Sequence, residues 1–267
     1  MWARIRCMAH PGDPLPPQPT RSPDVEDDFT DGLRPDLWIA HYLPHWTTPE
    51  RSAARLQHVP DGLALKIEED QLDWRAEDAP LRVSNLQTGT FSGELGSQRG
   101  THRHRPDGLH VRTATPTRML WAPSSGRIDL TVSATQDSEC MLAAWLVGTE
   151  HLNENAAGEV CLFEIDADAI GSSTRVRTGI KAHKDPELHT DIAEVELPFN
   201  ATRPHTWTVI WGDNETSVGC EGSVLRHLHQ APDYPLFLMI DIFEIGPPQG
   251  RYPKTAIIHH IRGWGNA

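Results

Sequence analysis

The stretch Gly158-Glu159-Val160-Cys161-Leu162-Phe163-Glu164-Ile165-Asp166-Ala167-Asp168 holds four carboxylates within ten residues. It follows a nearly continuous apolar run, Met141 to Val147, and reads as a β-strand. Two carboxyl groups on one strand face can work on an acetal carbon. One attacks the carbon; the other donates a proton to the leaving oxygen and later recovers it. For a double displacement of that kind the two must stand about 5–5.5 Å apart.

Which two is left open by parity. Residues two apart share a strand face, so Glu164, Asp166 and Asp168 point together, whereas Glu159 shares its face with Cys161 and Phe163. Glu159 joins Glu164 only if one residue between them is looped out as a β-bulge, a device common beside active sites. Parity therefore favours 164/166/168. Reach argues the other way, because positions four apart on a strand are separated by roughly 13 Å and two long Glu side chains lean together more easily than a Glu with an Asp.

The elements around this segment are strands. Gly62–Ile67 and Gly126–Val132 alternate apolar and other residues, and Leu236–Phe243 is a nearly continuous apolar run, as a strand buried on both faces would be. His205–Trp211 is β-branched and aromatic and stops at the turn signal Gly212-Asp213-Asn214; Thr255–Ile261 reads as a closing strand. Many short strands with turns between them, and few amphipathic helical stretches, indicate an all-β sandwich or barrel. Residues 1–25, with Pro11, Pro14, Pro16, Pro17 and Pro19, read as a loosely attached arm, and 26–267 as a single domain without repeats.

In this order the motifs resemble glycoside hydrolase family 16, the laminarinase and lichenase group. Its catalytic strand reads Glu-x-Asp-x-Glu, or Glu-x-Asp-x-x-Glu where a bulge intervenes, usually after Gly. Gly158-Glu159 followed by Glu164 is similar to the bulged form, with Cys161 where the family has Asp. Ala143-Ala144-Trp145-Leu146, Gly126-Arg127-Ile128-Asp129 and Pro204-His205-Thr206-Trp207 to Trp211 resemble three further strands of the family, so the likeness spans roughly 27–262. The resemblance implies a concanavalin A-like jelly-roll sandwich of two antiparallel sheets with a carbohydrate cleft. It implies a retaining, endo-acting hydrolase of a β-linked polysaccharide, β-1,3-glucan by default. Glu159 would be the nucleophile and Glu164 the acid/base. Trp145, His205, Trp121, Asn85 and Cys161 would contact substrate. No organic cofactor is implied, though a structural calcium ion would suit the fold. A neutral thiol at 161 cannot supply the charge of the family's acid, which leaves open hydrolysis with a shifted pH profile, use of the 164/166/168 register, or glycan binding without hydrolysis, as in a lectin.

Composition agrees with a glycan partner. A net charge of −13 disfavours nucleic acid and anionic membranes and suits a neutral polymer better than a polyanion. Nine Trp against three Tyr offer indole faces that serve pyranose rings or sandwich cores equally well. The four cysteines form no CxxC pair; Cys140 and Cys161 could pair across neighbouring strands. His102 and His104 read as part of an exposed basic loop, from which Arg103 and His104 would reach substrate hydroxyls or a uronate if it borders the cleft. His183, His189, His259 and His260 show no metal-ligand spacing and read as non-catalytic. Asp241 and Glu244 would either face the cleft or hold a cation. With no apolar leader behind Arg4 and Arg6, the expectation is a cytoplasmic monomer, the alternative being a secreted chain whose leader is missing from this sequence.

Overall fold

The computed structural model describes residues 10–105 and 108–266. In chain order the strands are β1 (Val25–Asp27), β2 (Arg55–Val59), β3 (Gly62–Ile67), β4 (Leu81–Gln87), β5 (Gly89–Thr90), β6 (Arg118–Met119), β7 (Gly126–Ser133) and β8 (Cys140–Gly148). They continue with β9 (Glu159–Asp166), β10 (Thr174–Lys181), β11 (Asp191–Leu197), β12 (His205–Gly212), β13 (Glu215–Cys220), β14 (Ser223–Leu228), β15 (Leu236–Ile245) and β16 (Lys254–Gly265). Two antiparallel sheets stack face to face as a jelly-roll sandwich. One runs β14-β13-β12-β7-β16-β3-β2, with β1 on β16; the other runs β11-β10-β9-β8-β15-β4. No helix among the described residues is long and apolar enough to cross a membrane.

Alternation decides what each strand contributes. Ile128, Leu130 and Val132 of β7 and Val209 of β12 turn inward and meet Leu142, Ala144 and Leu146 of β8 and Leu238, Ile240 and Ile242 of β15. Each such side chain contributes about 1.5–3 kcal/mol on burial. The second sheet is also covered on part of its outer face. There Trp145, Val147, Met239 and Phe243 pack with Tyr42, Trp46 and Trp74 from long connections. Double coverage is why Met141–Val147 is apolar at every position, and Leu236–Phe243 at every position but Asp241, rather than at alternate ones.

The N-terminal segment differs from the expected loose arm. From His10 onward it lies on the first sheet: Gly12 N donates to Val224 O and Leu15 N to Gly222 O, both at 2.8 Å. Arg127 Nη1 donates to Pro16 O (2.6 Å) and Gln18 Nε2 to Asp129 Oδ2 (2.7 Å). The outward Arg127 and Asp129 of β7 give this proline-rich stretch the partners that a proline backbone cannot find in a ladder. Residues 1–9, including Cys7, lie outside the described residues. Cys140 and Cys161 are both free and buried, so the expected cross-strand disulfide does not form.

Candidate active site

Strand β9 carries a bulge at the position that the chemistry requires. Against β8, Ala144 pairs with Phe163 and Trp145 with Cys161, so Leu162 has no partner; against β10, Arg177 pairs with Glu164 and Gly179 with Cys161. Leu162 and Phe163 both turn into the core, and Glu159, Cys161 and Glu164 come to share the outer face. Gly179 accommodates the irregularity: its φ is +140°, and a Cβ there would lie 2.0 Å from the Asp191 carbonyl oxygen. Asp168 leaves the strand in a single turn, Ala167–Ala169, and is exposed. The 164/166/168 register is therefore not assembled.

Glu159 is almost completely buried and meets three cationic groups. His102 Nδ1 lies 2.6 Å and His183 Nε2 3.0 Å from its Oε1, and Lys181 Nζ lies 3.7 Å from Oε2. Burial pushes a carboxyl group up, but the imidazolium charges and hydrogen bonds of His102 and then His183 outweigh it and hold Glu159 well below the usual range. Burial likewise pushes the His102 ring down, and Glu159, with Glu150 behind it, reverses this and raises it. Each partner thus keeps the other charged.

Glu164 accepts from Trp145 Nε1 (3.0 Å) and Arg177 Nε (3.0 Å), and its Oε1 touches Lys181 Nζ. Lys181 also stands over the Trp145 ring, 5.2 Å from its centroid. Burial works to lower the Lys181 ammonium, but Glu159 and Glu164 raise it. One ammonium thus contacts both carboxylates and bridges them across the site. Between the two, the Cys161 thiol is fully buried and donates weakly to Arg177 O at 3.6 Å. Burial first, then the charge of Glu164, pushes it well above the ordinary thiol range.

The other expected contacts divide. Trp145 lines the site. Asn85 is on the same face of the sheet but buried beneath it, where its amide donates to Asp241 Oδ1 at 2.7 Å. Asp241 does face this side, yet burial raises its carboxyl well above the usual range. His205 and Trp121 do not reach the site. His205 begins β12 in the opposite sheet, stacked 3.7 Å from Phe199, and Trp121 packs on Gly263 in the main core. Glu244 is taken up by the Lys254 ammonium at 2.5 Å, by Arg82 at 3.3 Å and by the Tyr252 hydroxyl at 2.7 Å.

His102, read from sequence as part of an exposed basic loop, and His183, read as non-catalytic, both meet Glu159, and Lys181 escaped the sequence reading. They arrive from a connection and from the end of β10, and nothing in their spacing links them to Glu159. Two groups of three possible metal ligands occur among the described residues, His102/Glu159/His183 and Glu215/His227/His229. Both are rich in imidazole, not the oxygen-only set that calcium takes. Around zinc, bond lengths of about 2.0–2.1 Å would separate ligand atoms by about 3.3 Å. The 2.6 Å contact of His102 with Glu159 is shorter, as befits a shared proton.

No family model matches the chain, and no curated protein matches it either. Solved structures do. The GlcNAcα1-4Gal-releasing endo-β-galactosidase of Clostridium perfringens superposes with a TM-score of 0.79 at 20% identity, over 93% of this chain and 65% of that one. This chain thus spans about two thirds of that enzyme's length. SCLam, a non-specific endo-β-1,3(4)-glucanase from family GH16, gives 0.65 at 13% identity over 96% and 95% of the two chains. The Bacillus licheniformis β-glucanase gives 0.63 at 12% identity over 93% and 100%. The fold is therefore the jelly roll of the family 16 β-glycan hydrolases.

Proposed function

We propose that the chain is a family 16-type retaining glycosidase of a β-linked polysaccharide, with Glu159 as nucleophile and Glu164 as acid/base. The observation that carries this is the bulge in β9, which brings two glutamates five positions apart onto one face under a common ammonium. Glu159, ionised beside two imidazoles, attacks the anomeric carbon as Glu164 protonates the departing oxygen. A glycosyl–enzyme ester forms, and water, deprotonated by Glu164, releases it with retention. Lys181 swings aside as the glycosidic oxygen reaches Glu164. Trp145 offers the face on which a sugar ring stacks. The step uses no organic cofactor or metal, and the protein acts as a monomer. The likeness to an endo-β-galactosidase and to endo-glucanases supports an endo-acting enzyme and puts β-galactans beside β-1,3-glucans as substrates.

One observation favours a second reading, a lectin-like protein that binds glycan without cleaving it. Arg177 and Lys181 both bind the Glu164 carboxylate, so an acid proton there has to displace a cation, and Cys161 leaves no third acid to share it. Reducing-end release from β-1,3-glucan, mixed-linkage glucan and β-galactan separates the two, comparing wild type with Glu159→Gln and Glu164→Gln. The glycosidase reading expects release by the wild type and a fall of at least about 10³-fold in each variant. Binding of a glycan by the wild type with no release from any polymer would sink it in favour of the lectin.

A further inference from the structure

Strands β12, β13 and β14 form a meander at one edge of the first sheet, and its tight turns fix side chains that the glycan chemistry leaves unused. Asp213 and Asn214 join β12 to β13, and Glu221 and Gly222 join β13 to β14. Both residues of each pair have positive φ, as a two-residue hairpin turn of type I′ requires. The second hairpin pairs Thr216 with Leu228 and Ser217 with His227, which sets Glu215 opposite His229. Val218 and Leu228 turn into the core, so by alternation Glu215, Ser217, His227 and His229 share the outer face. That face is turned away from the sheet that carries Glu159 and Glu164. His229 stands one step past the end of β14, and the chain there is held by Thr216 Oγ1, which donates to the Gln230 carbonyl at 2.8 Å.

Three ligand atoms converge on this face. Glu215 Oε2 lies 4.0 Å from His227 Nε2, and Glu215 Oε1 lies 3.8 Å from His229 Nδ1. Each of the three residues offers an atom within 4.8 Å of the others. The two rings meet edge to face, with centroids 5.0 Å apart. These gaps are too wide for hydrogen bonds, unlike the 2.6 Å contact of His102 with Glu159. A cation spans them well. Ligand atoms around zinc stand about 3.3 Å apart, so the two carboxylate gaps close by about 0.5–0.7 Å, and the exposed Glu215 and His229 side chains have room to turn inward. His227 is the anchored member: its side chain is 10% exposed, and its Nδ1 lies 2.9 Å from Ser217 Oγ. With that hydroxyl accepting from Nδ1–H, the Nε2 lone pair faces Glu215. An outer hydrogen bond of this kind is what orients a metal-bound imidazole.

We infer that Glu215, His227 and His229 form a binding site for a divalent transition cation, with zinc the ion that two imidazoles and one carboxylate suit and water completing its shell. The ion ties the first residue of β13 to the end of β14 and so clamps the open end of a hairpin at the sheet edge. Its role is structural. No step of glycan cleavage passes through it, and the site stands whether or not the cleft hydrolyses glycan.

Calorimetric titration of the chelator-treated full chain with zinc at neutral pH tests this. The expected result is a single zinc ion per chain, bound about tenfold or more weakly by Ser217→Ala, which keeps all three ligands, and not bound by His227→Gln/His229→Gln. Zinc should also raise the thermal unfolding midpoint of the wild type and leave that of the double variant unmoved. If the double variant does not melt cooperatively, Glu215→Gln, at a half-exposed position, takes its place. No binding heat and no shift of the wild-type midpoint overturns the inference. So does zinc binding that survives the double variant and is lost in His183→Gln, which would put the ion beside Glu159.

Discussion

Replacing His102 by Gln keeps a hydrogen-bond donor near Glu159 and removes only the charge. At an effective dielectric of about 20, two unit charges about 3 Å apart interact by about 5 kcal/mol. His183 and Lys181 remain at 3.0 and 3.7 Å and take over part of this, so the net loss is nearer the worth of a hydrogen bond to a charged group, about 1.5–3 kcal/mol. The sign follows from the two directions. Glu159 is held below its ordinary value of 4.5, so its contribution to stability is complete above that pH and fades as pH falls through the lowered value. His102 is held above its ordinary 6.5, so its contribution is complete below that pH and is lost as pH rises through the raised value. The pair is therefore worth most between pH 4.5 and 6.5. Urea denaturation of wild type and His102→Gln from pH 3 to 9 should show a difference of about 1.5–3 kcal/mol in that window, shrinking on both sides. A difference that is flat with pH would refute the charge argument and leave His102 as packing alone.

Three further outcomes follow from other parts of the molecule. Lys254 is fully buried on Glu244, with Arg82 3.3 Å away as a second cation, so Lys254→Met should cost about 3 kcal/mol by leaving the carboxylate under-compensated, measured by urea denaturation. Gly179→Ala should cost more than about 2 kcal/mol and also reduce glycan release, because the strain falls on the bulge that joins the two glutamates. Burial pushes the Cys140 and Cys220 thiols up to about 12 and Cys161 well above the ordinary thiol range; a thiol reagent at pH 8 should therefore leave all three unlabelled in the native protein and label them on unfolding.

Local pattern carried most of the fold. The alternation of Gly126–Val132 and the nearly continuous apolar runs at Met141–Val147 and Leu236–Phe243 coincide with β7, β8 and β15, because the pattern is decided within each strand. The need for a bulge between Glu159 and Glu164 was also legible, since parity alone set the two on opposite faces. What parity cannot convey is which distant residues cross the sheet edge to meet them. His102 lies 57 positions before Glu159 and His183 lies 24 after it; only tertiary closure shows that an apparently exposed basic loop supplies the ion pair of the buried carboxylate. His205 and Trp121 fail for the complementary reason. The strand of His205 is where the resemblance suggests but belongs to the opposite sheet, and Trp121, in the connection between β6 and β7, fills the core.

The thiol at 161 makes sense as one half of a charge balance. Glu159, Glu164 and Asp166 bring three carboxylates to the outer face of β9, and Lys181, Arg177 and the raised imidazole of His102 meet them one for one. An aspartate at 161 would add a fourth anion at a fully buried position, against the carbonyl oxygen of Arg177, an acceptor that repels it. Its burial would cost about 1–3 kcal/mol unpaired, and its charge would oppose ionisation of Glu159. Supplying the acid that the resemblance calls for, by Cys161→Asp, should therefore destabilise the protein and move the onset of glycan release to higher pH. The cations gathered around the two glutamates do here, by attraction, part of what a buried acid would do by repulsion: they fix which carboxylate stays charged.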